Sequence, residues 1–197
     1  MHKIMCTIFL FVSHIAKPMH EPDEYLKIVG LCTGAAVTYG ITACQISIRV
    51  SVEQFHDQVN KQALNPSAKN LLRSLSPTNA GILWGLDTSW WMGIVLGAPL
   101  AFTARYGSWP QIGASQLIMP LGVAVGTVAT VSALSGCAAF GLKSFASAAE
   151  RQPHDTQARN MNKSIAVDRA HSMAYKTAVV TGIGLCGYAL YKRHAMC

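Results

Sequence analysis

Long apolar runs alternate along this chain with short polar segments that hold nearly all of its charges. Ile28 to Ile48 is a run of 21 residues without a charge, bounded by Lys27 and Arg49. Gly81 to Ala104 carries one charge, Asp87, and Ile112 to Leu142 carries none. Ala170 to Tyr191 contains Lys176, and is uncharged from Thr177 onward. A helix packed on a soluble core needs only one apolar stripe, whereas a run apolar on all sides suits lipid. A bilayer takes about 20 residues to cross. The pattern therefore predicts an all-α, polytopic membrane protein, a bundle of four transmembrane helices over residues 28–48, 81–104, 112–142 and 170–191.

Local signals set the boundaries. Ser76 and Pro77 read as the N-cap and first helical position of the second helix. The link Arg105–Gln111 is short and holds Gly107 and Pro110, so helices two and three are expected as an antiparallel hairpin. Helix three is longer than a span needs, which predicts tilt or a kink at Pro120. Residues 1–24 form an N-terminal lead and 25–197 the membrane domain. The apolar stretch Ile4–Val12 in the lead is too short to span and lacks a small-x-small cleavage pattern, so translation from Met19 or a weak signal-like segment is expected. Two polar loops, Val50–Pro77 and Lys143–Arg169, fall on one side of the membrane, and Ala68–Leu75 within the first is amphipathic enough to lie along the interface.

Composition sharpens this picture. Hydrophobic residues make up 51% and charged residues 13%, about half the charged share of a soluble domain. The net charge of +7 would suit nucleic acid, but the basic residues Lys27, Arg49, Arg105, Lys143, Lys176, Lys192 and Arg193 flank the apolar runs, where snorkelling side chains meet headgroups. No basic stripe with interleaved aromatics marks a nucleic-acid groove, and the expected surroundings are a lipid bilayer. The six cysteines include no CxxC pair, and Cys32, Cys44, Cys137 and Cys186 lie inside the apolar runs as small hydrophobes rather than a disulfide framework.

Candidate chemistry is sparse. Gly30xxxGly34, Gly93xxxGly97 and Gly122xxxGly126 each place two glycines on one helix face, which allows close packing inside this bundle or against a second copy or another membrane protein. Asp87 reads either as an intramembrane acid on an ion path or as a headgroup-level residue below the belt of Trp90 and Trp91. Gln45, Arg49 and Glu53 share a face if helix one continues past the interface. Glu53xxHis56 and Asp168xxHis171 have the carboxylate–histidine spacing found in di-metal bundles, yet lack the further carboxylates such a site requires. His56 and His171 are thus weak metal candidates, and no metal site is expected. His171 lies one turn from both Asp168 and Tyr175, so all three line one face at the mouth of helix four. With Gln45, Arg49 and Glu53 they form a candidate polar clasp between helices one and four. No Walker loop, nucleophile elbow, HExxH or dinucleotide fingerprint is present, so no catalytic residue and no cofactor is implied.

Three stretches resemble a bacterial family of four-helix inner-membrane proteins, of planctomycete and flavobacterial type, that has no assigned activity. They are Tyr39–Phe55, with Gln45, Arg49 and Glu53; Leu83-Trp84-Gly85 with Thr88–Trp91, Gly93, Leu96-Gly97, Pro99-Leu100-Ala101, Ala104-Arg105 and Gly107; and Ala170–Tyr175. The resemblance implies the fold, a bacterial inner-membrane location and cytoplasmic N and C termini. This chain departs from it at Ala43-Cys44, where the relatives carry His-Asp or His-Asn, and at Asp87, where they carry a small uncharged residue. Three functional classes follow. The foremost is a non-catalytic membrane component or subunit. The second is a small-solute or ion transporter or channel acting as an oligomer, and the third a metal-dependent membrane enzyme.

Overall fold

The computed structural model of the chain describes residues 22–61, 65–149 and 156–197. The expected lead lies outside the described residues up to position 21. Among the described residues every regular element is an α-helix. Four are long: α1 (Pro22–Val50), α4 (Pro77–Arg105), α5 (Ala114–Ala149) and α6 (Thr156–Ala195). Two short helices, α2 (Val52–Lys61) and α3 (Pro66–Ser74), connect α1 to α4. Two stretches, Asp23–Val50 and Ala114–Leu142, are long and apolar enough to cross a membrane by length and composition.

Caps explain several boundaries. Asp23 and Glu24 open α1, where carboxylates favour the helix dipole. Ser76 caps α4 by accepting from the Asn79 N–H, with Pro77 at the first helical position, as the sequence predicts. α3 starts the same way, Asn65 accepting from Ala68 N at 2.7 Å. Pro120 and Pro99 sit inside unbroken helices.

α1 packs most closely on α4, and α5 on α6. Small residues make the first pairing. A Cβ on Gly85 would meet Ile41 Cα at 2.5 Å, one on Gly93 would meet Thr33 Cα at 2.4 Å, and one on Gly97 would meet Val29 Cα at 3.2 Å. Rising numbers on α4 meet falling numbers on α1, so the two run antiparallel. On α5, Gly136 lies against Ala166 and Ala170 of α6, the second antiparallel pair.

The hairpin expected between helices two and three is corrected. α4 and α5, joined by the link between Arg105 and Ala114, stand across a diagonal of the bundle and are not a packed pair. The glycine face of α4 is already filled by α1, and the link with Gly107 at φ +93° is long enough to reach past α6. The second polar loop is also corrected. α5 continues to Ala149 and α6 begins at Thr156, so most of residues 143–169 is helix. Helical hydrogen bonds close within the chain and do not depend on apolar side chains. α6, with 40 residues, is about 60 Å long, twice a hydrocarbon core of about 30 Å.

Candidate functional site

Two compact cores lie toward the two ends of the bundle. At the end holding the α4–α5 link, Tyr25, Ile28, Leu100, Ala104, Leu117 and Ala189 pack together. At the other, Cys44, Ile48, Phe55, Val59, Ala80 and Trp84 do, with Phe55 set edge-on to Trp84 at 5.8 Å. Between them the helix pairs stand apart around a cavity of about 310 Å³. Its wall is largely small and apolar, including Ala36, Gly40, Ala129, Ala174, Ala178 and Gly182. No Asp, Glu, Lys or Arg lines it among the described residues.

The polar groups of the wall are few and specific. Ser47 Oγ lies 2.8 Å from His171 Nε2, a bond from α1 to α6 across the second diagonal. Ser47 Oγ is also 2.8 Å from the Ala43 carbonyl. One hydroxyl has one proton. If it goes to Ala43, the His171 Nε2–H donates to Ser47; if it goes to His171, Nε2 accepts. In either tautomer His171 Nδ1 keeps its hydrogen-bonding capacity, and no partner for it occurs among the described residues. Deeper, Tyr39 Oη and Ser132 Oγ are 3.0 Å apart, joining α1 to α5. Tyr175, half-exposed, lies within electrostatic reach of Tyr39 and Cys44 and has no hydrogen-bond partner among the described residues.

The sequence-predicted clasp is thus only partly assembled. His171 meets α1, but through Ser47. Asp168 is exposed, one turn away. Arg49 turns to α4 instead: Nη1 donates to Gln45 Oε1 at 2.5 Å and Nη2 to Thr78 Oγ1 at 3.1 Å, while Gln45 Nε2 donates to the Thr78 carbonyl at 2.6 Å. The shared face expected for Gln45, Arg49 and Glu53 is broken at Ser51. There the buried Ser51 Oγ accepts from Gln54 N at 3.3 Å and begins α2. Ser51-Val-Glu-Gln54 has the Ser-x-x-Gln spacing of a capping box, the sequence signal for this break. Glu53, in the first turn of α2, accepts from Ser51 Oγ at 3.4 Å. Gln54 instead reaches α6, accepting from Ser164 Oγ at 2.8 Å. The His56 ring lies 5.8 Å from that of Phe55, tilted by 49°. Among the described residues no three His, Cys, Asp or Glu side chains converge on a common point.

Asp87 is exposed on the outer face of α4, away from the cavity. Its level is fixed by the register, because Gly85 and Ser89 on either side of it both meet Gly40 of α1. Gly40 lies near the middle of the charge-free run 28–48. The three glycine pairs also separate. Gly93 and Gly97 are buried against α1, whereas a Cβ on Gly30, Gly34, Gly122 or Gly126 would meet nothing within 4 Å. Cys32 and Cys44 are buried as expected, but Cys137 is exposed.

Two basic residues read as lipid-facing anchors are buried instead. Arg105 is 7% exposed and Arg193 is 2% exposed. Arg193 donates through Nη1 to the Thr103 carbonyl at 2.7 Å, through Nε to Pro110 O at 2.9 Å and through Nη2 to Trp109 O at 3.2 Å. It fills the space under the α4–α5 link and satisfies carbonyls that a helix end and a turn leave unpaired. Glu24 does the matching job for α5, accepting from Ala114 N at 3.0 Å and from Lys27 Nζ at 2.7 Å. The position of a charge beside an apolar run could not separate these uses from snorkelling.

Comparison of the chain with protein-family models, with curated proteins and with solved structures finds no match.

Proposed function

We propose that this chain is a four-helix integral membrane protein of a bacterial inner membrane, a non-catalytic subunit that packs against a partner through its outer helix faces. The observation that carries the reading is the open apolar surface. Only 17% of the apolar window in Asp23–Val50 and 22% of that in Ala114–Leu142 is buried within the bundle. A core helix of a soluble protein would bury most of such a window. Here Met119, Val123, Leu134, Val180 and Ile183 all point outward, each more than 60% exposed. At about 25 cal/mol per Å² such surface is costly in water and neutral in lipid. The mid-level carboxylate of Asp87, exposed beside Leu83 and Leu86, supports the subunit role, since an intramembrane charge calls for a counter-charge. The resemblance described above supports cytoplasmic termini.

Alkaline carbonate extraction of membranes tests the placement. The chain is expected to remain in the pellet and to need detergent for release; release by carbonate would overturn the membrane reading. Reporters fused at Gly107 and after Cys197 are expected to read cytoplasmic, and one after Ser74 external. The reverse pattern would overturn the orientation alone.

A second reading, passage of a small uncharged solute by an oligomer, is favoured by the cavity. Asp87, the acid expected on an ion path, does not line it, and Gln45 and Arg49 also stand outside its wall.

A further inference from the structure

We propose that the cavity between the helix pairs binds a neutral, lipid-borne molecule with a compact ring bearing carbonyl or hydroxyl oxygens, the chemistry of a quinone headgroup. The inference rests on the membrane placement above. Four observations carry it.

The first is size. A volume of 310 Å³ holds about ten water- or methylene-sized groups at ~30 Å³ each. That suits one ring with its substituents and is too small for a whole two-chain lipid. It lies at the lower end of ligand pockets, about 300–1,000 Å³. The second is charge. With no carboxylate, ammonium or guanidinium in the wall, a charged ligand would enter uncompensated, which a low-dielectric site disfavours. The third is the placement of polar groups. Hydroxyl and imidazole groups from all four long helices line one space, among them Tyr39 and Ser47 of α1, Thr88 of α4, Ser132 of α5, and His171 and Tyr175 of α6. Two of these have unused capacity, the Tyr175 hydroxyl and His171 Nδ1. A carbonyl oxygen accepts from a phenol or an imidazole N–H, and a hydroxyl can also donate to a neutral imidazole nitrogen. A plain acyl chain would leave the Tyr175 hydroxyl and His171 Nδ1 without a use.

The fourth is the shape of the wall. Alanine and glycine supply much of the α1, α5 and α6 surfaces, at Ala36, Gly40, Ala129, Ala174, Ala178 and Gly182. The core around Leu100 and Ala189 packs residues of all four long helices at one end, and the core around Phe55 and Trp84 packs α1, α2 and α4 at the other. A lipid-borne ligand would enter sideways between helices, from the bilayer, and a tail longer than the cavity would extend toward the lipid. Tyr175 both lines the cavity and is half-exposed on the outside of the bundle.

The test uses the full chain in lipid nanodiscs and a benzoquinone with a ten-carbon tail and a photoreactive azido group. Saturable labelling is expected on the cavity-lining segments 39–47 of α1 and 171–182 of α6, displaced by the unlabelled quinone but not by decanol. Ala178→Phe, which fills the cavity, is expected to abolish labelling, and Val180→Phe on the outer face to leave it unchanged. Tyr175→Phe, a change that removes one oxygen from a half-exposed side chain, is expected to weaken binding about tenfold, which keeps the test decisive if the filled variant fails to fold. Labelling that does not saturate, that decanol displaces, or that survives both Ala178→Phe and Tyr175→Phe would overturn the proposal. So would a tightly held phospholipid whose acyl chain protects the same residues. Carbonate extraction of the same preparation separates the two readings: a chain that stays inserted and does not label sinks the ligand alone, whereas a chain that is released sinks the membrane placement beneath it.

Discussion

Ser47 and His171, 124 residues apart in sequence, meet at 2.8 Å and tie α1 to α6 across a diagonal of the bundle. The bond borders the cavity and adjoins the core built on Phe55 and Trp84. Interhelical hydrogen bonds of this kind are worth about 0.5–1.5 kcal/mol. Ser47→Ala and His171→Ala should each lower stability in detergent, and the double variant should lose less than the sum. A thermodynamic cycle by reversible unfolding measures this. Strict additivity would mean that the two side chains act independently.

The glycines should divide by neighbour, although the three pairs look alike in sequence. Gly93→Ala brings a methyl within 2.4 Å of the Thr33 backbone, so α1 and α4 must separate. Overpacking of this sort costs about 1–3 kcal/mol. Gly34→Ala meets open space, and the alanine gains up to about 1 kcal/mol of helix propensity. Unfolding of the purified chain should therefore show loss for the first and none for the second. Equal destabilisation would mean that the Gly30–Gly34 face is packed after all, against a second copy in the purified particle.

What the sequence could and could not convey follows from which physical signal each feature carries. The long helices were legible because lack of charge over 20 or so residues has few other uses. The cap Ser76-Pro77 was legible because it is local. Partner choice was not. Whether Gly93 or Gly30 faces another helix depends on which faces meet, and a four-residue spacing is the same for both. The α4–α5 link illustrates the point: a short connection predicts neighbours, but the small-residue face of α4 is better matched by α1. The site was legible in part. His171 stood out as a histidine at a helix mouth, yet its partner Ser47 is one of several hydroxyls on α1 and nothing local marks it. The cavity left no local signal, since it exists only where small residues of several helices coincide.

Arg193 should be one of the more costly single positions to change. Its guanidinium is buried against three carbonyls at the α4–α5 link. Arg193→Met keeps bulk but leaves those acceptors unpaired, each costing about 1–3 kcal/mol if water cannot replace the donor. A loss of several kcal/mol is expected, and Arg193→Lys should recover only part of it, because a single ammonium cannot reproduce a planar fork. Lys192→Met at the neighbouring half-buried position should change little. Thermal denaturation of the three variants decides it. Similar melting temperatures for Arg193→Met and Lys192→Met would assign Arg193 an ordinary surface role.

Asp87 offers the sharpest test of the subunit role. It is exposed on α4 on the same face as Leu83, one turn earlier, at the level of Gly40 and therefore far from both ends of the charge-free run. Removing it should leave the isolated bundle intact, because exposed substitutions usually stay within about 0.5 kcal/mol. Its effect should appear in assembly. Asp87→Lys is expected to reduce the mass of the particle extracted in mild detergent, since a cation now faces the partner's cation. The chain also supplies a candidate counter-charge in Lys176, exposed on α6. If the partner is a second copy, the exchanged pair Asp87→Lys with Lys176→Asp should restore the original mass. If the partner is a different chain, the exchanged pair should stay dissociated. A particle whose mass ignores all of these changes would mean that the outer face of α4 is not a docking surface.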